Sequence, residues 1–253
     1  MEFTDKVLIL RVGRFRETDL WVRFLSPNHG VLSAFAFGGS RSRRRFSGCL
    51  DVFNEVLFSV KTTRDGVYNA LQEGVLINAP RRLRKDWRRL GLAANCAKFI
   101  EAFGITADGA ARAHAVFSDM LALLEEDGEL PPNLPLLFRI RIAFDQGYAM
   151  GLNVCRGCSL PLREGRGSGF LVRDGSFICP TCGEGQLAGK ILPVGHETLD
   201  ALAHVQEYSP LHWRESVLKT LSPGGHRDLA RVVDAFIEHH VGLRWDVSRF
   251  VRV

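Results

Sequence analysis

Val52-Phe53-Asn54-Glu55-Val56-Leu57-Phe58-Ser59-Val60-Lys61 is the stretch on which the fold of the N-terminal third turns. Successive side chains of a strand point to opposite faces. Here Val52, Asn54, Val56, Phe58 and Val60 alternate against Phe53, Glu55, Leu57, Ser59 and Lys61, and both faces are apolar in the middle. Such a pattern suits a strand in a closed barrel, and the neighbouring sequence agrees. Apolar runs lie at residues 7–12 and 20–25, and Pro27-Asn28-His29-Gly30 supplies a turn before a further run at 31–37. Gly38-Gly39 breaks the pattern and opens a basic loop, expected to be mobile. A fifth run at 67–76 follows turn chemistry at Asp65-Gly66. Five short strands in about eighty residues fit a small Greek-key barrel such as the OB-fold. An SH3-like barrel produces much the same pattern.

Ala79-Pro80 marks a change of period, and Pro80 suits a first helical turn. From there Leu83, Trp87, Leu90 and Ala94 form one stripe, extended by Phe99, Ile100 and Phe103. A second helix is expected over 110–126, with Val116, Met120, Leu123 and Leu124 inward. After Pro131-Pro132 a third runs over 134–150, with Leu137, Ile140, Phe144 and Tyr148 on one side. Residues 151–189 differ in kind, being rich in Gly, holding four Cys and lacking helical period. Helical spacing resumes over 198–205, then around 213–221 before the stop Ser222-Pro223-Gly224-Gly225, and again over 228–240. The expected organisation is α+β and multidomain. Residues 1–79 form the barrel and 80–150 with 190–253 a helical domain, while 151–189 is a cysteine module inserted in that domain.

The four cysteines form Cys155-x2-Cys158 and Cys179-x2-Cys182. Each knuckle turns two thiolates to one side, and two knuckles supply four sulfurs at about 2.3 Å for a closed tetrahedral zinc site. Phe170, Val172, Phe177 and Ile178 suit short strands between the knuckles. Two disulfides are the alternative, but they conflict with the expected cytoplasmic location. A catalytic zinc keeps an open position and usually takes His or carboxylate ligands. No His-x-Glu stands upstream of Cys179-Pro180-Thr181-Cys182, and His196-Glu197 is downstream and wrongly spaced. One structural zinc is expected. Cys49 and Cys96 read as small buried residues.

With 253 residues, 46% of them hydrophobic, the chain resembles an ordinary globular protein. No apolar run approaches the length of about eighteen residues needed to span a bilayer. The N-terminus lacks the basic and apolar regions of a signal peptide. There is no Walker-type phosphate loop, no Gly-x-Ser-x-Gly and no His-Glu-x-x-His, so no catalytic set can be assembled.

What remains is basic. Lys+Arg number 33 and Asp+Glu 28, yet residues 1–89 hold 17 basic against 9 acidic residues. That asymmetry points to a polyanion met by one part of the chain. Arg11, Arg14 and Arg16 end the first strand. Arg41, Arg43, Arg44 and Arg45 follow Gly38-Gly39, and Arg81, Arg82, Arg84, Lys85, Arg88 and Arg89 are expected on the polar sides of the first helix. Clustered Arg can contact successive phosphates. Trp21, Phe35, Phe37 and Phe46 are candidate stacking surfaces, although aromatics in a small barrel are more often core.

Arg16-Glu17-Thr18-Asp19, Gly30, Gly38-Gly39 with the Arg41–Arg45 loop, Leu50 with Phe53, Gly147-Tyr148, the four-cysteine insert and Ser248-Arg249 together resemble the RecO family of bacterial recombination mediators. The resemblance spans nearly the whole chain. The loop departs from it, reading Gly-Gly-Ser-Arg-Ser-Arg-Arg-Arg where the family usually has a Lys-Gly-Ala-Arg type. The resemblance implies an N-terminal OB-fold, a helical domain and a zinc module. It also implies a non-enzymatic protein that binds single- and double-stranded DNA and anneals complementary strands. With RecR, such proteins help load RecA onto DNA covered by single-strand-binding protein, whose acidic tail docks on the helical domain. Arg139 and Arg141 are the expected ion-pair partners of that tail, against a reading as solvated helix-surface arginines. The runner-up is a zinc-ribbon transcription or translation factor contacting RNA or a polymerase.

Overall fold

A computed structural model describes residues 2–63, 66–130, 133–162, 167–184, 191–214 and 221–253. The chain divides into two compact units, Met1–Asp127 and Gly128–Val253. The boundary expected at 79/80 lies inside the first.

The first unit contains β1 (Glu2–Arg14), β2 (Leu20–Ser26), β3 (Gly30–Ala36), β4 (Glu55–Thr62) and β5 (Asn69–Asn78), followed by α1 (Trp87–Phe103) and α2 (Ala110–Glu125). The strands hydrogen-bond in the cyclic order β1-β2-β3-β5-β4. Closure rests on a short parallel pairing of β3 with β5, Ala34 opposite Asn69 and Phe35 opposite Ala70. Inside lie Val7, Ile9, Val22, Phe24, Val56, Phe58 and Val60, with Phe46 and Cys49 brought in by the β3–β4 loop. Each large side chain so buried contributes about 1.5–3 kcal/mol.

The decisive stretch is a strand only from Glu55 onward. Phe53 takes φ 65°, and the Asn54 amide donates to the carbonyls of Gly48 and Cys49, so residues 52–54 are the end of a loop. The alternation that suggested an earlier start is real but is not extended backbone.

The β2–β3 hairpin is fixed by polar contacts. The buried Ser26 hydroxyl donates to Asp5 and accepts the N–H groups of Asn28 and His29 at 3.2 and 2.9 Å. Gly30 follows with φ 76°, and a Cβ there would lie 2.3 Å from the Ile105 carbonyl oxygen. Only glycine satisfies both conditions.

Helix α1 departs from expectation. Pro80 does not begin it. Residues Leu83–Lys85 make one 3-10 turn, and α1 starts at Trp87, with Asp86 accepting the N–H groups of Arg88 and Arg89. Of the expected Leu83/Trp87/Leu90/Ala94 stripe only Leu83 is fully buried, and it lies ahead of the helix, whereas Phe99 and Ile100 of the expected extension are buried. Trp87 is 77% exposed, and the buried face is Arg89, Ala93, Cys96, Ala97, Phe99 and Ile100. Small residues there let the helix pack closely. Helix α2, close to its expected bounds, packs against β1, β2 and β3.

The second unit holds α3 (Leu134–Asp145), β6 (Ser168–Leu171), β7 (Ser176–Ile178), α4 (Pro180–Gly183), β8 (Ile191–Val194), α5 (His196–Glu207), α6 (Pro223–Phe236), β9 (Leu243–Asp246) and β10 (Arg249–Arg252). A three-stranded antiparallel sheet is ordered β7-β6-β8, β9 pairs with β10, and α3 packs on α5 and α6. Helix α3 stops at Asp145 rather than near 150, and Gly147 takes φ 92°. Ser222-Pro223-Gly224-Gly225, expected as a stop, starts a helix. Ser222 Oγ accepts the Gly225 N–H at 3.1 Å and Pro223 occupies the first turn. Residues 65, 131 and 132, and 215–220 of the expected 213–221 segment, lie outside the described residues.

Two stability measurements follow from the first unit. Gly30→Ala should cost about 1–3 kcal/mol for the backbone conformation alone, with the carbonyl clash adding to it, read as a lower urea midpoint. His114 is buried, and its Nε2 has no hydrogen-bond partner among the described residues. Burial, against the opposing charge of Glu55, holds its pKa below the ordinary value. Below about pH 6.5 the unfolded chain therefore takes a proton that the folded chain refuses, and stability falls with pH until the folded pKa is reached. His114→Gln should flatten that acid limb of a midpoint-against-pH curve.

Candidate metal centre and basic surface

The four cysteines converge. Their Sγ atoms all lie within 4.8 Å of one another. A tetrahedral thiolate site with bonds of about 2.3 Å has sulfurs about 3.8 Å apart, so the cluster needs only a small contraction. The first knuckle is a tight turn in which the Ser159 N–H donates to the Cys155 carbonyl at 2.8 Å, tied to β7 by the Arg156 N–H donating to Phe177. The second rides on the single turn of α4. A Cβ at Gly157 would lie 2.9 Å from Cys182 Cβ and 3.1 Å from its sulfur, so the close approach of the knuckles requires glycine.

The electrostatics set Cys155 and Cys182 apart. Burial opposes ionisation of Cys155, but the N–H groups of Cys179, Cys158 and Gly157 hold its thiol down to about 6. Cys182 goes the other way, pushed up to about 12 by hydrogen bonds to Cys179 and Cys158. Around the cluster, Leu171 and Ile178 are buried, with Leu162 and Ile191 packed against them. So small an apolar group gives the segment little stability of its own, and a bound cation would hold the knuckles together. Phe170 of β6 and Phe177 of β7 are fully buried, 5.0 Å apart. Val172 lies just past β6, in the turn.

The expected nucleic-acid residues separate into two groups. Arg14, Arg16, Arg43, Arg44, Arg81 and Lys85 are exposed, and none makes a side-chain ion pair among the described residues. Arg41 pairs with Glu17 at 3.3 Å, both in water, a contact worth about 0–1 kcal/mol. Arg45 donates to the Phe37 carbonyl at 2.6 Å. Arg88 lies over the Trp87 ring. The loop is no free tether, contrary to expectation. Gly38 donates to Asp19, Ser40 to Thr18 and Gly74 to Arg45, while Phe46 and Cys49 are core.

The other group is committed to protein partners, Arg11 and Arg82 at the surface and Arg84 and Arg89 further in. Arg11 pairs with the nearly buried Glu101 at 3.3 Å. Arg82 donates to the Glu125 carbonyl and pairs with Asp127. Arg84 donates to the Val52 carbonyl at 2.9 Å and Asn54 Oδ1 at 2.6 Å, and pairs with Asp51. Arg89 is buried, donating to the carbonyls of Leu124 and Glu126 at 2.6 and 2.8 Å. The expected continuous basic face over 81–89 is thus a turn and a helix start, with Arg84 and Arg89 taken up by structure.

Arg139 and Arg141 depart from the reading as solvated helix-surface arginines. Arg139 is buried, donating to the Pro135 carbonyl and pairing with Asp234 at 2.9 Å. Arg141 pairs with Asp145 and donates to the carbonyls of Val205, Gln206 and Tyr208. Neither is a solvated surface arginine. Among the aromatics, Phe46 is core and Trp21 covers Gly13, whereas Phe35 and Phe37 lie on the outer surface. Phe15 and Tyr68 join them, missed because each stands just beyond a strand, where alternation gives no signal.

Taken together, these features describe an α+β protein with a strand-rich basic N-terminal part and a four-cysteine module able to hold a metal ion. Residues 1–80 match the family "Recombination protein O N terminal" and residues 84–249 match "Recombination protein O C terminal". The chain is 51% identical over 253 residues to the DNA repair protein RecO of Oleidesulfovibrio alaskensis, and 52% identical over 257 residues to that of Nitratidesulfovibrio vulgaris (strain DP4). It is 38% identical over 254 residues to the corresponding protein of Lawsonia intracellularis, and all three matches cover 100% of both chains. The chain belongs to the RecO family. No helix among the described residues is long and apolar enough to cross a membrane.

Elemental analysis of the purified protein should find one thiophilic divalent ion per chain, falling to none in Cys155→Ser. Chelation should speed hydrogen exchange at residues 153–160 and 176–183 and leave β1–β5 protected.

Proposed function

We propose that the chain is a non-enzymatic, DNA-binding mediator of recombinational repair that anneals complementary strands. With RecR it would help load RecA onto DNA covered by single-strand-binding protein. Membership of the RecO family supports this reading, as do relatives named as DNA repair proteins. The observation that carries it is the pinned loop offering Arg43 and Arg44 to solvent beside Arg41 and Arg45. In this reading residues 1–79 are an OB-fold that binds single- and double-stranded DNA. Residues 80–150 and 190–253 serve as the helical part, and the acidic tail of single-strand-binding protein docks there, with Arg139 and Arg141 as its ion-pair partners once they exchange Asp234 and Asp145 for it. Residues 151–189 are stapled by one structural zinc ion on Cys155, Cys158, Cys179 and Cys182. The protein works in the cytoplasm, at the nucleoid during repair.

The mechanism is electrostatic. Two strands approaching each other repel through their phosphates. Exposed guanidinium groups neutralise that charge and release counterions, so that base pairing selects the complement. No bond is made or broken in this scheme, and none of the histidines or carboxylates is assigned a chemical step.

The test is the rate of annealing of complementary oligonucleotides across a salt titration. Acceleration that fades with salt is expected; no acceleration, or a strong preference for structured RNA, would favour the zinc-ribbon factor instead. Arg43→Ala/Arg44→Ala/Arg45→Ala should weaken DNA binding and flatten its log–log salt slope by about two units for single strands. An unchanged slope removes that loop from the binding site.

A further inference from the structure

Phe15, Phe35, Phe37 and Tyr68 form a surface cluster in the first unit, separate from the barrel core. Phe35 stands in β3, Phe37 just beyond it, Phe15 just beyond β1 and Tyr68 just ahead of β5. The β3–β5 pairing at Phe35 and Ala70 places these elements side by side. Phe35 is the hub, its ring centroid 4.7 Å from Phe15, 6.1 Å from Phe37 and 5.6 Å from Tyr68. Phe37 and Tyr68 also meet, at 6.1 Å. The outer three rings remain open to water, Phe15 at 50%, Phe37 at 38% and Tyr68 at 39%.

Ring faces left wet at this density are a standing cost, and they are ringed by cations. The Arg16 guanidinium lies 5.3 Å above the Phe15 ring, and Arg45 is bonded to the Phe37 carbonyl. The acids in the same stretch are engaged, Glu17 by Arg41 and Asp19 by the Gly38 N–H. An apolar protein surface would bury the rings but strand the guanidinium groups. A nucleotide strand matches both, since its bases have apolar π faces and its phosphates are anionic.

We infer that Phe15, Phe37 and Tyr68 are a base-stacking platform for unpaired nucleotides, by which this protein holds single strands in preference to duplex. The inference rests on the nucleic-acid reading above and deepens it. Phosphate contacts alone give no preference for a single strand over the more densely charged duplex, whereas bases already stacked in a helix have no free face to offer. The platform is sequence-tolerant, because every base has a π face.

The experiment is fluorescence anisotropy with a labelled oligo-dT and a labelled duplex of equal length at fixed salt. Phe15→Leu, Phe37→Leu and Tyr68→Leu keep apolar volume and remove the π face, so a folded barrel is retained. Each should weaken oligo-dT binding about tenfold with its salt slope unchanged, and leave duplex binding as it was. Tyr68→Phe should restore wild-type binding. Unchanged oligo-dT affinity, or equal losses on both DNAs, would overturn the platform. If the Arg43/Arg44/Arg45 variant then still loses affinity for both DNAs, the nucleic-acid reading survives without it. Wild-type protein that binds neither DNA would sink both.

Discussion

The end of α2 holds the first unit together. The last carbonyls of a helix have no partner within it, and they carry its negative dipole end. Arg89 donates to those of Leu124 and Glu126, bringing a positive charge to that end. One residue away the Glu125 carboxylate accepts three successive backbone N–H groups, from Arg81, Arg82 and Leu83. The link between barrel and helices is thereby stitched to α2. Arg84 leaves the same turn and reaches the Val52 carbonyl and Asn54. Asn54 in turn holds Gly48 and Cys49, the base of the basic loop. A path of charge-assisted hydrogen bonds thus runs from the end of α2 to the loop that presents Arg43 and Arg44. Arg89 and Asn54 are the buried members, and removing either would leave its carbonyl partners unsatisfied, which costs more than the bond itself.

That arrangement also explains which parts of the fold were legible in sequence. Strands β1 to β3 and helix α2 follow from period and turn chemistry, because their buried faces are built from large apolar residues. The face of α1 was misread for a physical reason. Only Phe99 and Ile100 on its buried face are bulky and apolar; the first turns bury Arg89, Ala93, Cys96 and Ala97, and a search for bulky apolar side chains is drawn there to Trp87 and Leu90 instead. A buried arginine satisfied by carbonyls has no periodic signature. Arg84, Arg139 and Arg141 were misplaced for a related reason, since each, beside a partner four residues away, has others 30 or more residues away in sequence. Ser222-Pro223-Gly224-Gly225 was ambiguous because the residue types that end one helix also begin the next. The convergence of the four cysteines was legible. Its geometry is set by two local spacings, and long-range folding need only bring two rigid turns together.

The metal and the cationic surface play different parts. The knuckles offer thiol sulfur in a closed arrangement, with backbone N–H groups directed at Cys155. A cation held there would have its ligands supplied by the protein, so its effect would be on the order of a segment with a very small apolar core. The arginines of the β3–β4 loop are the reverse case. They contribute little to folding, and their loop is already anchored at both ends and in the middle. A ligand that meets them does not have to order a free segment, and less of its binding energy is consumed in doing so.

The charge excess of residues 1–89 therefore overstates the surface available to a polyanion. A guanidinium contributes to binding through counterions released when it meets a phosphate, and this requires it to be exposed and unpaired. Arg89 already faces a helix terminus and Asp86, and Arg84 faces Asp51. Moving either to a phosphate would still release a counterion from the nucleic acid, but it would break the contacts already made and leave Asp51 or Asp86 unpaired. Arg14, Arg16, Arg43 and Arg44 have no such alternative. They lie at the ends of β1 and within the β3–β4 loop, which the β1–β2–β3 pairing brings to one end of the barrel, through Arg14 opposite Leu20 and Leu20 opposite Ala36. The strand pairing, more than the number of arginines, makes a local field out of charges that are dispersed in sequence.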